Sequence, residues 1–184
     1  MSYRSWLKIV LVWVLVGLGS AGFAQASEEG SVKATAAWQS EGYAFEIGYH
    51  RAFLVGVWTG ILFVETGKGS LDAGAIVCPG TVEVDLETGR RVVEGRCIIT
   101  DKDSNNAYAT LSCIGDALNC KGRFKFTGGT GKFTGISGES TLTSRVEVRQ
   151  ITTHAHGDAA QHIEAAQHIA AGITSWPKLN YKIP

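Results

Sequence analysis

Glu46 and His50 come closest, in type and spacing, to a proton-transferring pair. They lie four residues apart in Tyr43-Ala-Phe-Glu-Ile-Gly-Tyr-His50, so a strand would carry both on one face. If that face lined a cavity, the carboxylate and the imidazole could serve as acid and base. Simple alternation explains the same residues, with Tyr43, Phe45, Ile47 and Tyr49 directed to the core and Glu46 to water, and this is the expected arrangement. Ser137 offers no nucleophile, because a nucleophile elbow needs glycine at 139, where Glu139 stands.

Sulfur and imidazole groups come next. The four cysteines, Cys78, Cys97, Cys113 and Cys120, are an even number and read as two disulfides in an oxidising compartment. Three pairings are formally possible. A turn at Glu87-Thr88-Gly89 would fold Cys78 back toward Cys97, leaving Cys113 and Cys120 to close a short loop. A zinc site is disfavoured because no CxxC pair exists and no histidines are interleaved at ligand spacing. Four of the five histidines, His154, His156, His162 and His168, fall within residues 153–171. Ala159-Ala-Gln-His-Ile163 returns as Ala165-Ala-Gln-His-Ile169, so duplication accounts for two of them. On a helix, residues six apart diverge by about 240°, so His162 and His168 would not clasp one ion. Only His154 with His156, on an extended chain, would make an adventitious zinc, nickel or copper site. The Ala-rich composition predicts a short helical insert over about residues 153–172, and no metal or cofactor is expected.

The N-terminus has the form of an export signal. Arg4 and Lys8 precede an apolar run at residues 9–18 that is short for a membrane span, and Ala24-Gln25-Ala26 has the small-x-small cleavage pattern. Residues 1–26 are therefore expected to be a cleaved signal helix, residues 27–184 a single periplasmic or secreted domain, and no stable membrane span is expected after cleavage. The whole chain carries 17 basic and 17 acidic side chains. Removing Arg4 and Lys8 leaves 15 against 17, a net charge of −2. So neutral a domain lacks the electrostatic attraction that nucleic acids and anionic lipid demand, and neither is expected as a partner.

The elements that must position any site are strands. Val82, Val84 and Leu86 alternate with polar residues, as do Phe124 with Phe126 and Leu142 with Val146 and Val148. Residues 52–64 are apolar on both faces, with Gly56 and Gly60 interposed where a sheet would curl. Trp176-Pro-Lys-Leu-Asn-Tyr-Lys-Ile183 predicts a final strand with Pro177 near its start. With turn signals such as Asp103-Ser-Asn-Asn106 between short strands, an all-β antiparallel barrel is expected.

Between two strand-like segments, Phe126-Thr-Gly-Gly-Thr-Gly-Lys-Phe-Thr-Gly-Ile-Ser-Gly138 concentrates five of the 23 glycines. A phosphate-binding loop would need glycine at Phe126 and Ser or Thr at Phe133, and a dinucleotide fingerprint would need glycine at Thr134. Neither pattern is met. Gly128, Gly129, Gly131, Phe133, Gly135 and Gly138 instead resemble the Gly-Gly-Thr-Gly-Lys/Arg-Phe-x-x-x-x-Gly signature of the allene oxide cyclase and dirigent-like barrels. This resemblance implies an eight-stranded antiparallel barrel with an apolar interior, often trimeric, with Phe133 plugging one end. It carries over no catalytic residue.

Two functional expectations follow. The first is an exported barrel that performs no chemistry and binds an apolar small molecule or a partner protein, with Phe53, Trp58, Phe124 and Phe126 as candidate pocket residues. The alternative is a cyclase or isomerase acting on a lipid-derived substrate, as the resemblance implies, with Glu46 and His50 the catalytic candidates.

Overall fold

The computed structural model describes residues 27–153 and 165–184. They form a closed barrel of eight antiparallel strands, each paired with the next in sequence and the last with the first. The strands are β1 (Glu28–Gly48), β2 (Arg51–Val64), β3 (Gly74–Asp85), β4 (Arg91–Thr100), β5 (Asn106–Gly115), β6 (Asn119–Gly129), β7 (Gly138–Thr153) and β8 (Ala165–Ile183). Among the described residues the only helical element is a single 3-10 turn, Gly131–Phe133. The all-β antiparallel barrel is thus observed.

Residues 1–26, expected to be a signal helix, and residues 154–164 of the expected insert lie outside the described residues. The described end of that insert is strand, not helix. Ala166, His168 and Ala170 in β8 pair with Ala44, Gly42 and Ser40 of β1, and this two-sided ladder overrides the helix preference of alanine. β8 starts at Ala165, so Pro177 falls inside it and not near its start. The strand accommodates Pro177 by a register shift against β1 between Val32 and Ala34, the setting in which a sheet tolerates proline.

One half of the barrel is packed solid. Phe124, Leu62, Ile99, Phe133, Trp176 and Leu179 are completely or almost completely buried there. Phe124 meets Phe126 edge-on at 5.3 Å between centroids and Trp176 at 5.4 Å, the geometry that ring quadrupoles favour. The glycine-rich corner closes this end. Gly131 and Gly135 take φ of 54° and 75°, which lets the chain turn twice in five residues and drive Phe133 into the core. Lys132 then pairs with the half-buried Asp101 at 2.7 Å, tying the corner to the β4–β5 turn.

The disulfides are Cys78–Cys97 and Cys113–Cys120. Cys78 and Cys97 lie on the paired strands β3 and β4, and Gly115 pairs with Cys120 where β5 turns into β6. The hairpin reading of the sequence therefore gave the observed pairing.

Candidate functional site

The other half of the barrel is hollow. Small inward residues cause this: Ala36, Ser40 and Ala44 on β1, Ala52 on β2 and Ala170 on β8 leave unfilled the volume that Phe124 and its neighbours fill elsewhere. Two inward tryptophans lie along the wall without crossing it. The Trp38 ring occupies the space a side chain at Gly172 would need, and Trp58 Cζ3 stands 2.6 Å from where a Cβ on Gly80 would be. The cavity that remains is about 440 Å³, within the range of small-molecule sites. Ile76 and Trp176 mark its floor against the packed core, while Ala44, Leu86 and Ala117 line it at the end bearing the β1–β2, β3–β4 and β5–β6 turns. Leu86 is 57 % exposed, which locates the mouth there.

The walls differ in chemistry. β2, β3 and β5 contribute Leu54, Val82, Val84 and Leu111. β1, β7 and β8 carry a polar relay in which Trp38 Nε1 donates to Thr174 Oγ1 at 3.0 Å and Thr174 donates on to Ser144 Oγ at 3.0 Å. Above it sits His168, only 6 % exposed, with a buried Nδ1 that has no hydrogen-bond partner among the described residues. Its ring fits because position 42 is glycine, where a Cβ would stand 2.8 Å from His168 Cε1. Burial pushes the imidazole below its ordinary value, so it is neutral at pH 7. On β4, the strand opposite β8 in the ring, Arg91 lines the mouth and is 8 % exposed. Its Nε is also buried without a partner among the described residues. Burial lowers the guanidinium from its ordinary value and Asp116 partly offsets this, yet an arginine so placed keeps its charge.

The structure redistributes the sequence candidates. Trp58 lines the cavity, whereas Phe124 and Phe126 belong to the packed core beneath it. Phe53 is corrected to the outer face: Ala52 and Leu54 point in, so Phe53 points out and pairs with Phe45. The same parity overturns the inward assignment of Tyr43 and Phe45, and Ile47 and Tyr49, at and beyond the end of β1, are exposed as well. Glu46 and His50 do not share a strand face, because β1 ends at Gly48 and His50 stands in the following turn with φ of 58°. Both are exposed and neither lines the cavity.

Arg91 and His168 were missed by the sequence reading. The signal for Arg91 was available, since counting back by twos from the bridged Cys97 through Gly95 and Val93 puts it inside. Among the described residues no group of three His, Cys, Asp or Glu side chains could hold a metal ion, and His154 and His156 lie outside them.

Fold and cavity together define a small closed up-and-down β-barrel with an internal, mainly apolar hollow. No protein-family model matches the chain, and no curated protein matches it.

Proposed function

We propose that this barrel is an exported carrier or receptor that binds one apolar small molecule in its hollow half and performs no chemistry on it. The single observation that carries this reading is the cavity of about 440 Å³, bounded by small residues and wall-hugging tryptophans and open at one end. Eight-stranded barrels are just wide enough to hold one small ligand. A void of this size left empty would forfeit the contacts that close packing supplies to the other half.

The compartment reading is consistent with this role. Two disulfides in one small barrel suit an oxidising, extracellular setting, and residues 1–26 supply the export signal in this proposal. The interior is apolar where a membrane-spanning barrel is polar, and the outer faces of β6 and β7 carry Lys121, Arg123, Lys125 and Glu139, while β2 presents Val55, Val57, Ile61 and Phe63 outward. Kinship with the allene oxide cyclase and dirigent-like barrels belongs to the same proposal and rests on the glycine corner with its buried Phe133; a trimer is what that kinship would imply.

His168 favours a second reading, a cyclase or isomerase. A neutral imidazole in the cavity wall, with a nitrogen that has no partner among the described residues, is equipped to steer a proton on a lipid-derived substrate.

Titration with the apolar fluorophore N-phenyl-1-naphthylamine tests the binding reading. Wild type should bind one molecule per chain saturably, and Ala44→Trp, which fills the mouth, should weaken binding by at least about 10-fold. Absence of saturable binding, or equal binding by the variant, would contradict it.

A further inference from the structure

Arg91 is a cation set into an apolar wall. Its neighbours along the inward faces are Val84, Leu86 and Val93, and across the β4–β5 ladder it pairs with Gly115, which has no side chain to offer. Among the described residues no carboxylate lies within ion-pair distance of it. Asp116 reaches it only through its field. That acid sits exposed in the β5–β6 turn, its Oδ1 accepting the amides of Leu118 and Asn119 at 2.8 Å each. An arginine N–H buried without a partner among the described residues, as Nε is here, is costly unless something brings it an acceptor, and the cavity that Arg91 lines has no acidic lining residue.

We infer that the cavity takes an apolar monocarboxylic acid, its carboxylate held by the Arg91 guanidinium at the mouth and its hydrocarbon body in the hollow. This rests on the binding reading above and names its ligand class. The guanidinium fork matches a carboxylate in shape and in charge. One arginine balances one negative charge, and His168 across the cavity is neutral, so a phosphate dianion would bring a second charge into a desolvated site with nothing to meet it. The remaining lining is mainly apolar, with Leu54, Trp58, Val82 and Leu111 suiting an acyl or aromatic body, and its polar groups are confined to Ser40, His168 and the Trp38–Thr174–Ser144 relay, whose members already bond one another. At roughly 30 Å³ per water-sized group, the volume holds about 15 non-hydrogen atoms, the size of a medium-chain fatty acid.

The test compares dodecanoate, dodecan-1-ol and dodecyl phosphate on delipidated protein at neutral pH, read by tryptophan fluorescence. Dodecanoate should bind roughly 10-fold to 100-fold tighter than the alcohol, as a charge-assisted hydrogen bond would give. Arg91→Met should bring the two within about 3-fold, and Arg91→Lys should keep part of the preference. In case Arg91→Met does not fold, a second readout uses wild type alone: the carboxyl carbon of ¹³C-labelled dodecanoate should titrate lower when bound than when free. Equal affinity for acid and alcohol, an unshifted carboxyl titration or tighter binding of the phosphate would overturn the inference and leave the binding reading intact. Failure of all three probes to bind would overturn both.

Discussion

Trp38 on β1 donates its indole N–H to the Thr174 hydroxyl on β8 at 3.0 Å, so the first and last strands are joined by side chains as well as by their backbone ladder. Thr174 passes the bond on to Ser144 at 3.0 Å, and the relay runs along the cavity wall across β1, β8 and β7. Thr174→Val keeps the shape and removes both bonds, leaving a half-buried indole N–H unsatisfied in an apolar hollow. We expect a loss of about 1–3 kcal/mol in chemical denaturation, and a loss well below that for Thr174→Ser. Equal stability of wild type and Thr174→Val would show that the relay does not secure the seam.

The glycine corner belongs to the fold and not to the ligand. Phe133 is fully buried at the packed end, so Phe133→Ala should cost about 3–5 kcal/mol. Apolar-probe affinity measured on the folded fraction should be unchanged, since Phe133 does not line the cavity. A large affinity change without a stability change would reverse that assignment.

The bridges should differ in worth. Cys78–Cys97 spans 19 residues and Cys113–Cys120 spans 7. Loop-closure entropy then assigns them about 3 and about 2 kcal/mol respectively. Denaturation of the Cys78→Ser/Cys97→Ser and Cys113→Ser/Cys120→Ser double variants checks the order.

His168 sets a pH dependence of stability. Burial holds its folded pKa below the unfolded value near 6.5, so between the two the unfolded chain binds the extra proton. Stability is therefore full above the unfolded value and declines as pH falls through it. The carboxylates of Glu28, Asp85, Asp101 and Asp116 are shifted downward too, and what they contribute is lost only under stronger acid, below about pH 4. Melting curves from pH 7.5 to 5 should show a falling Tm for wild type and a flatter profile for His168→Gln. Parallel profiles would remove His168 as the cause.

How much of this was legible in the sequence follows from what alternation can and cannot say. Phe124, Phe126 and Leu142 were placed correctly because in the packed half the bulky residue is the inner one. In the hollow half the rule holds on β3, where Val82 and Val84 line the cavity, and fails on β1 and β2, where the inner positions are Ala44 and Ala52 and the bulky Tyr43, Phe45 and Phe53 stand outside. A cavity is written in small residues, and a search for apolar ones reads the wrong face. Residues 165–170 read as helix for a related reason: the alanine among them that lines the cavity, Ala170, serves the hollow by its size. His168 sits in that duplicated run, so local pattern could not mark it as interior. Parity from Cys97 could have marked Arg91.

Native mass spectrometry of the protein purified from its own source tests the central claim, that the hollow half is a ligand site, most directly. The account predicts one apolar adduct per chain, released on denaturation and absent from Ala44→Trp. A bare chain mass that stays bare after incubation with a lipid extract would contradict it.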